Sequence, residues 1–459
     1  MSSDLDGQLD DSVRRWKRYP AYKDCAIPWV GKTPSHWELR RLKFCLRSIE
    51  QGWSPSCESR PAELHEWGVL KVGCVNGTAF TPDEQKALPS DLQPIPELEI
   101  KPGDVLMSRA NTRELLGSAS VVRDVRPHLL LCDKLYRLRA QAEVIDSSFL
   151  VLTLGSSVSR YQMEREATGA SGSMQNIAQG TVWNLAVLLP SLSEQCLIVS
   201  FLDRETAKID ALTGKKEQLL GLLREKQIAL LSQAVTCGLD QLVPTRESGL
   251  EWAYRIPATW DVRRNVLLFA ERDERGYPDL PILEVSIRTG VTERQFSDEH
   301  VEQKAEDPAT YKRAKKGDLV FNKMRMWQGA VGVAPVDGLV SPDYTVAKPR
   351  EGVCTRYFEN LFRTGLYMTE VNRYSHGIVK DRNRLYWDQF KQMPSLFPPP
   401  PDQHRIVEYI DRVSSNINAL VAKVQLGIDR LREYRTALIS AAVSGKIDVR
   451  EEFASNGHF

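Results

Sequence analysis

The sequence lacks the residue patterns that most catalytic and metal-binding sites require. Its 7 His residues form no HxxxH or HExxH pair and its 8 cysteines form no CxxC pair, so neither a zinc site nor a disulfide framework is indicated. The stretch 26–33 resembles a phosphate-binding loop, but Ala26 replaces the first glycine, and Pro28 and Trp29 occupy its interior. No nucleophile–base arrangement follows from the spacing. We therefore expect a chain that has no catalytic site of its own.

An excess of charge and long apolar runs are also missing. The chain has 61 Lys and Arg against 60 Asp and Glu. A protein that coats nucleic acid through bulk charge is therefore not expected, although a local basic surface is compatible with this balance. The N-terminus is polar and no apolar run reaches the roughly 18 residues of a membrane span. These features predict a cytoplasmic protein with reduced thiols, and the length predicts two or more domains.

The sequence does contain one long stretch twice. Residues 195–240 align without a gap with residues 403–448, at a constant offset of 208 (403 − 195). Identity at polar positions that follow no helical period, such as Asp203 with Asp411, indicates an internal duplication.

Both copies have apolar residues at heptad spacing, which predicts two long coiled-coil helices. A buried core helix is the alternative interpretation, but the length and the charged remaining faces favour two helices packed on each other. Gly238 and Gly445 mark the predicted helix ends. The predicted helix–helix seam consists of Ile198, Leu202, Ile209, Leu212, Leu223, Leu230, Ile406, Ile410, Ile417, Leu420, Leu431 and Leu438.

A mixed module precedes each long helix. Pro34 and Trp37 reappear as Pro257 and Trp260 at an offset of 223 (260 − 37), so the modules have diverged by insertions, and each tryptophan is expected to anchor a core. The predicted strands are 67–72, 104–108, 119–122, 129–131 and 135–138, then 282–285, 318–322, 330–333, 339–340 and 344–347, with helical patterns at 149–166 and 356–374.

These patterns predict an α+β protein made of two mixed α/β domains and two long helices. The predicted organisation is a flexible N-terminus (1–20), a first domain (21–190), a first long helix (191–240), a second domain (241–398), a second long helix (399–450) and a C-terminal tail (451–459).

Polar and basic residues cluster in loops at matching places in the two modules. Arg, Asn and Gln side chains can contact guanine and adenine edges, and Lys and Ser can hold phosphates. A solvated surface loop is the alternative, and the residue types leave both interpretations open. The candidate DNA-binding residues are Arg109, Asn111, Arg113, Ser171, Ser173, Gln175 and Asn176, then Asn322, Lys323, Arg325, Trp327, Gln328, His376, Lys380, Arg382 and Arg384.

Four linked segments resemble the specificity (S) subunit of Type I restriction–modification enzymes. They are RYPAYKDCAIPWVGKTPSHWELRRLK from residue 18, EQCLIVSFLDRETAKID at 194–210, SGLEWAYRIPATW ending at Trp260, and PPPDQHRIVEYID at 399–411. Each segment alone would be a weak signal, but their order along nearly the whole chain is specific.

The resemblance implies two target recognition domains, each reading one half of a split double-stranded DNA sequence. The two repeated helices would pack antiparallel between these domains, in a pseudo-twofold repeat, and dock two modification (methyltransferase) subunits. It further implies a role in bacterial defence against foreign DNA. This chain would hold no cofactor, because S-adenosylmethionine would bind the modification subunits, and ATP and Mg²⁺ the restriction/translocase subunits.

Two other interpretations of the sequence remain open. A coiled-coil interaction scaffold with two binding modules would show no DNA specificity. A fused methyltransferase would need a cofactor-binding loop, which the sequence does not show.

Overall fold

The structure, a computed structural model, describes residues 16–25, 30–169, 174–240, 242–294, 310–376 and 383–451. The chain divides into two compact units. Unit 1 consists of residues 1–216 with 426–459, and unit 2 of residues 217–425.

Unit 1 is built around a four-stranded antiparallel sheet with the order β11-β9-β13-β4. Its strands are β1 (Tyr22–Asp24), β2 (Lys32–Pro34), β3 (Glu38–Arg41), β4 (Leu46–Gln51), β5 (Gly68–Leu70), β6 (Val75–Asn76), β7 (Ala79–Phe80), β8 (Gln85–Ala87), β9 (Val105–Ser108), β10 (Ala110–Asn111), β11 (Ala119–Val121), β12 (Leu129–Leu130), β13 (Leu135–Ala140), β14 (Gln175–Asn176) and β15 (Ala186–Leu189). Its helices are α1 (Ser147–Leu154), α2 (Ser157–Glu166), α3 (Gln179–Asn184) and the first part of α4 (Leu192–Cys237), with single 3-10 turns at Leu42–Phe44, Val72–Cys74 and Pro96–Leu98.

Unit 2 has a sheet of the same kind, with the order β19-β26-β23-β24. Its strands are β16 (Thr245–Glu247), β17 (Arg255–Pro257), β18 (Asp261–Arg264), β19 (Phe269–Arg272), β20 (Leu283–Ser286), β21 (Gly290–Glu293), β22 (Lys312–Ala314), β23 (Leu319–Asn322), β24 (Val331–Val333), β25 (Gly338–Val340), β26 (Tyr344–Pro349) and β27 (Pro394–Phe397). Its helices are α5 (Asn265–Leu268), α6 (Thr355–Phe362), α7 (Gly365–Tyr374), α8 (Trp387–Phe390) and the first part of α9 (Pro400–Val443), with 3-10 turns at Glu251–Ala253 and Met326–Gln328.

The predicted α+β class with two mixed modules and two long helices is confirmed. The boundary between the two compact units crosses α4 after Lys216 and α9 after Gln425. In unit 1, Arg435 of α9 pairs with Asp210 of α4 at 3.0 Å, and Lys216 lies beside Gly427. As the residue number rises along α4 it falls along α9, so the two segments run antiparallel.

The two units repeat one another element by element, beyond the long helices. The offset of 208 also relates helices α1 and α2 and strand β15 to α6, α7 and β27 (355 − 147, 365 − 157, 394 − 186). The offset of 223 relates strands β1 to β3 to strands β16 to β18 (245 − 22, 255 − 32, 261 − 38). The offset has already fallen to 214 at β9 and β23 (319 − 105), so most of the length difference lies between β4 and β9.

The predicted strands are confirmed, whereas each predicted helical pattern before the long helices consists of two helices. The pattern 149–166 is interrupted between α1 and α2, and the pattern 356–374 between α6 and α7. The second helix of each pair has its own N-cap, because the Ser156 side chain accepts the N–H of Ser159 and the Thr364 side chain accepts the N–H of Tyr367.

The burial of the predicted seam residues varies along the two long helices. Ile198, Leu202, Ile209, Ile406, Ile410, Ile417 and Leu438 are buried, and Leu223, Leu230 and Leu431 are half-buried. The prediction is wrong for Leu212 and Leu420, which are 46% and 49% exposed.

The inward-facing positions shift by one residue near the middle of each helix. They advance by four residues twice in succession, through 205, 209 and 213 in α4 and through 413, 417 and 421 in α9. An extra four-residue step of this kind interrupts the heptad repeat and locally unwinds a coiled coil. Thr213 and Val421 therefore turn inward in place of the two leucines, and the next buried residues are Leu220 and Ile428.

An aspartate in each unit joins a turn to the central sheet. Asp104 accepts the backbone N–H of Lys101 at 3.0 Å and a hydrogen bond from Arg139. Its counterpart Asp318 accepts the N–H of Lys315 at 2.9 Å and a hydrogen bond from Arg272 at 2.7 Å. Both carboxylates are buried, and each is satisfied by a cation, as burial of a charge requires.

The tryptophan of each module is buried in a core, as predicted, and it also lies at the end of a long helix. Trp37 and Trp260 are both buried. Trp37 lies beside Gly445 and Trp260 beside Gly238, where the glycines end the helices with φ values of 73° and 79°. A side chain at either glycine would be strained in this left-handed conformation and would contact the indole.

Candidate nucleic-acid interface

In unit 1, the candidate residues after strand β9 are held in place by neighbouring groups. Arg109 donates from Nη1 to the carbonyl oxygen of Asp133 at 3.1 Å, and its guanidinium lies 5.6 Å from the ring centroid of Tyr136. Asn111 accepts the N–H of Thr112 at 2.9 Å, while Arg113 pairs with Glu164 at 3.1 Å. The segment therefore has a defined conformation rather than that of a loosely solvated loop.

A hairpin stem packs against this segment. Thr168 and Asn176 exchange backbone hydrogen bonds of 3.0 and 2.8 Å, and we use the name hairpin 1 for the described residues beside this bridge, 168–169 and 174–176. Strand β14 of hairpin 1 pairs with β10, which places Gln175 opposite Asn111 and Asn176 opposite Ala110. Four of the candidate residues, Arg109, Asn111, Gln175 and Asn176, are thereby brought together. Ser171 and Ser173 lie outside the described residues.

A glycine sets the path of the chain into hairpin 1. Gly169 has a φ of 144°, and a Cβ at this position would lie 2.5 Å from the carbonyl oxygen of Met174. Any larger residue would clash with the opposite strand, so this position requires glycine. Beneath the hairpin, the Tyr136 hydroxyl donates to the carbonyl oxygen of Ile177 at 3.0 Å, and burial raises the pKa of this phenol.

Unit 2 contains the same arrangement. His376 and Arg384 exchange backbone hydrogen bonds of 3.1 and 3.0 Å, and we use the name hairpin 2 for the described residues at this bridge, 376 and 383–384. The two bridges are related by the same offset of 208 (376 − 168, 384 − 176). The N–H of Leu385 donates to the carbonyl oxygen of Lys323 at 2.9 Å, as the N–H of Ile177 donates to that of Arg109 in unit 1. Lys380 and Arg382 lie outside the described residues.

Lys323 occupies the place that Arg109 has in unit 1. Its Nζ donates to the carbonyl oxygen of Pro342 at 3.0 Å, just before β26, while Arg109 donates to the carbonyl oxygen that precedes β13. Burial lowers the pKa of Lys323, as does the nearby charge of Lys312. Each module thus has a basic side chain that ties the end of one strand to the start of the next.

The remaining candidates in unit 2 form a mixed polar and apolar surface. Asn322 accepts the N–H of Met324 at 2.9 Å, and the indole of Trp327 donates to the carbonyl oxygen of Met324 at 3.0 Å. Arg325 and His376 are exposed, and Trp327, Gln328 and Arg384 are half-buried. Arg384 approaches the Met324 sulfur to 3.9 Å, so hairpin 2 contacts the segment that follows β23.

Sequence reasoning found the residues of this surface but not the pairing that joins them. Thr168, which forms the stem of hairpin 1 with Asn176, carried no chemical signal of its own. The 208 offset was the available signal, because it continues through both hairpins and through α2 and α7.

No group of His, Cys, Asp and Glu that could hold a metal ion occurs among the residues that the structure describes. Within the same ranges, no helix is long and apolar enough to cross a membrane.

Comparison with known proteins points to one group of proteins. No protein-family model matches the chain. It is 27% identical over 195 residues to the Type I restriction enzyme EcoEI specificity subunit of Escherichia coli, an alignment that covers 42% of this chain and 32% of that protein. It is 22% identical over 304 residues to the EcoDI specificity subunit of the same organism, covering 61% of this chain and 66% of the relative. The chain thus aligns with about a third of the length of the first relative and about two thirds of the second.

Solved structures show the same fold. The HsdS subunit from Thermoanaerobacter tengcongensis matches with a TM-score of 0.51 and 17% identity, over 90% of this chain and 98% of that one. A chain from a structure that describes complex assembly and conformational transition of the type I R-M system matches with a TM-score of 0.60 and 18% identity, again over 90% of this chain and 98% of the other.

Proposed function

We propose that this chain, which belongs to the specificity subunits of Type I restriction–modification systems, recognises a two-part DNA sequence with one module for each part. The observation that carries the proposal is the presence of the same hairpin-and-strand surface in both units. Hairpin 1 packs on the segment after β9, and hairpin 2 packs on the segment after β23. Two equivalent surfaces in one chain suit a target with two half-sites.

The side chains of the two surfaces differ, which suits half-sites of different sequence. Unit 1 offers the amides of Gln175 and Asn176, which can bind adenine bidentately. Unit 2 offers Arg325, Arg384 and Gln328, and arginine is suited to guanine. Arg109 and Lys323 already donate to backbone carbonyls, so we assign them the role of shaping the surfaces.

We further propose that the long helices dock two modification subunits. They expose large apolar side chains, which a docked partner would remove from water. In unit 2, Leu222 is 61% and Ile228 is 66% exposed, and in unit 1 Leu426 is 51% exposed. The modification subunits would supply S-adenosylmethionine chemistry, and restriction/translocase subunits would supply ATP- and Mg²⁺-dependent steps. This chain would be non-catalytic.

Co-expression with a candidate modification subunit, followed by methylome sequencing, tests the proposal. We expect a single methylated motif with two specific parts separated by an unspecific spacer. Expression of the modification subunit alone is the control and should leave that motif unmethylated. A coiled-coil scaffold without DNA specificity would give no new methylated motif in the presence of both proteins, and this result would contradict the proposed function.

A further inference from the structure

At one place in the repeat, two chain segments of unit 1 correspond to one linker of unit 2. The N–H of Asp448 donates to the carbonyl oxygen of Lys17 at 2.8 Å, so the segment after α9 and the segment before β1 lie side by side. Both residues correspond to Asp240, at the offsets of 208 (448 − 240) and 223 (240 − 17). Unit 1 therefore has a second segment where unit 2 has the linker that follows α4.

The segment before β1 inserts Tyr19 into the core of unit 1. The Tyr19 hydroxyl donates to the Glu194 carboxylate at 2.7 Å, and its ring meets the Trp37 indole edge to face, with the centroids 5.8 Å apart. The Arg450 guanidinium lies 4.9 Å from the centroid of the same ring. Burial raises the pKa of this phenol, as does its hydrogen bond to Glu194, so the hydroxyl keeps its proton and remains a donor.

Glu194, at the start of α4, is the common acceptor of this cluster. Besides Tyr19, the indole N–H of Trp37 donates to it at 3.2 Å, and Nε2 of His36 lies 2.9 Å from its second oxygen. The carboxylate is buried, and these neighbours satisfy it.

Unit 2 keeps the frame of this cluster without the tyrosine. Trp260 and Asp402 correspond to Trp37 and Glu194 (260 − 37 = 223, 402 − 194 = 208). Trp260 is 2% exposed, yet its indole N–H has no acceptor among the residues that the structure describes. Leu242 corresponds to Tyr19 (242 − 19 = 223) and is 93% exposed, so its side chain does not take the place of the phenol.

A cavity of about 130 Å³ lies at this place in unit 2. Its lining includes Gly238, Asp240, Pro257, Trp260, Asp402 and Arg405. A cavity of about 150 Å³ in a protein core can hold one benzene molecule, so this cavity has the size of a single aromatic ring. Its wall contains an indole and a carboxylate, the same two groups that hold Tyr19 in unit 1.

The charges of the lining suit a basic segment. The carboxylates of Asp240 and Asp402 lie in the lining with the guanidinium of Arg405. In unit 1, the segment that carries Tyr19 reads Trp-Lys-Arg-Tyr over residues 16–19, so two cations precede the tyrosine.

We propose that the cavity of unit 2 binds the tyrosine side chain of a basic segment that a partner protein supplies. The ring packs on Trp260 and the hydroxyl donates to Asp402, as Tyr19 packs on Trp37 and donates to Glu194. The inference goes beyond the DNA-reading function proposed above and does not depend on it.

The test measures binding of a labelled synthetic peptide with the sequence of residues 16–24 to the full chain by fluorescence anisotropy. The chain's own copy of this segment is covalently attached, with an effective concentration on the order of millimolar, so a dilute peptide does not displace it from unit 1. We expect one bound peptide per chain. The Tyr19→Phe peptide should bind about tenfold more weakly, because it lacks a hydrogen bond to a charged group.

Variants of the chain locate the site. Asp402→Asn should weaken binding of the peptide, because an amide is a weaker acceptor than a carboxylate. Thr259→Trp should abolish it, because a large side chain at this exposed lining position occupies the cavity. The matched control is Glu408→Gln, which removes an exposed carboxylate of α9 outside the lining and should leave binding unchanged. Thermal unfolding checks that all variants are folded.

Three results would overturn the proposal. The first is peptide binding that neither Asp402→Asn nor Thr259→Trp changes, and the second is equal affinity for the two peptides. The third concerns the chain alone, which should be monomeric by light scattering. A dimer that the peptide dissociates would make a second copy of the chain the occupant, in place of a partner protein. The methylated motif tests the proposed function separately, so either inference can fail without the other.

Discussion

At the residue scale, Gln195 and Gln403 link each long helix to the module in front of it. Both side chains are fully buried. Gln195 accepts the N–H of Asp146 at 2.8 Å and donates to the carbonyl oxygens of Val144 and Pro190. Gln403 forms the same three bonds with Cys354, Gly352 and Pro398, which are the counterparts of those residues at the offset of 208. A glutamine at this place satisfies three backbone groups at once.

Replacing either glutamine by leucine should destabilise its unit. Gln195→Leu or Gln403→Leu removes the partner of one N–H and two carbonyl groups. The carbonyl of Pro190 or Pro398 is then buried without a partner, at a cost of about 1–3 kcal/mol. Urea-induced unfolding should show this loss. Gln233→Leu, at an exposed position of α4, is the control and should change stability by less than about 0.5 kcal/mol. Equal stability of the Gln195 and Gln233 variants would contradict the assigned role.

Asp448 makes the stability of unit 1 depend on pH. Burial raises the pKa of this carboxyl, but the hydrogen bonds and charge of Arg450 outweigh burial and bring the pKa below its ordinary value of 3.8. A carboxyl whose folded pKa is depressed stabilises the fold above its unfolded pKa of about 4, and this contribution disappears as the pH falls through the folded pKa.

Asp448→Asn should therefore lower stability at neutral pH and flatten its acid dependence. Between about pH 5 and pH 2, unfolding followed by circular dichroism should show a smaller decline for the variant than for the wild-type chain. Asp240→Asn changes the counterpart in the first copy of the repeat, which is exposed, and serves as the control. Parallel curves for the wild-type chain and Asp448→Asn would refute the contribution of this ion pair.

Residue types alone could not distinguish the side chains proposed to contact DNA from those that shape the surface. Arg109 and Lys323 were predicted to contact DNA because each is a basic residue that follows a strand. The structure shows both donating to a carbonyl oxygen that precedes a neighbouring strand. That partner is 24 residues away for Arg109 and 19 for Lys323, so no local pattern reveals it.

At the element scale, the long helices were predictable except at their centre. Adjacent residues offer competing inward positions there, such as Leu212 with Thr213 and Leu219 with Leu220. A strict heptad selects the leucines 212 and 219, whereas packing selects Thr213 and Leu220. The same shift occurs in the second copy, at Leu420 and Val421, which shows that it belongs to the duplicated element.

Alanine substitutions distinguish the strict heptad, which places Leu212 and Leu420 inward, from the shifted pattern, which places Leu220 and Ile428 inward. Leu220→Ala and Ile428→Ala remove buried side chains and should cost about 2–5 kcal/mol each. Leu212→Ala and Leu420→Ala, at exposed positions of the same helices, should cost less than about 1 kcal/mol. Urea unfolding of the four variants measures the difference. A larger loss of stability for the Leu212 and Leu420 variants would support the strict heptad and contradict the shifted pattern.

At the scale of the whole molecule, the duplication extends over most of both modules. The 208 offset runs from Ser147 in α1 to Asp240, and the two central sheets have the same strand order. The offset was visible in the helices because identical residues recur there without a gap, including exposed polar residues such as Asp203 and Asp411. In the modules the residues vary while the backbone is retained. The extent of the repeat is therefore visible in the matching secondary-structure elements and not in sequence identity.

The central claim is that each module reads its own half of the target, and exchange of one module tests it most directly. Residues 250–395 are replaced by the matching module of another specificity subunit, the chimera is co-expressed with the modification subunit, and the methylome is sequenced. We predict that one half of the methylated motif changes while the other half stays that of the parent chain. A change in both halves, or in neither, would contradict the account.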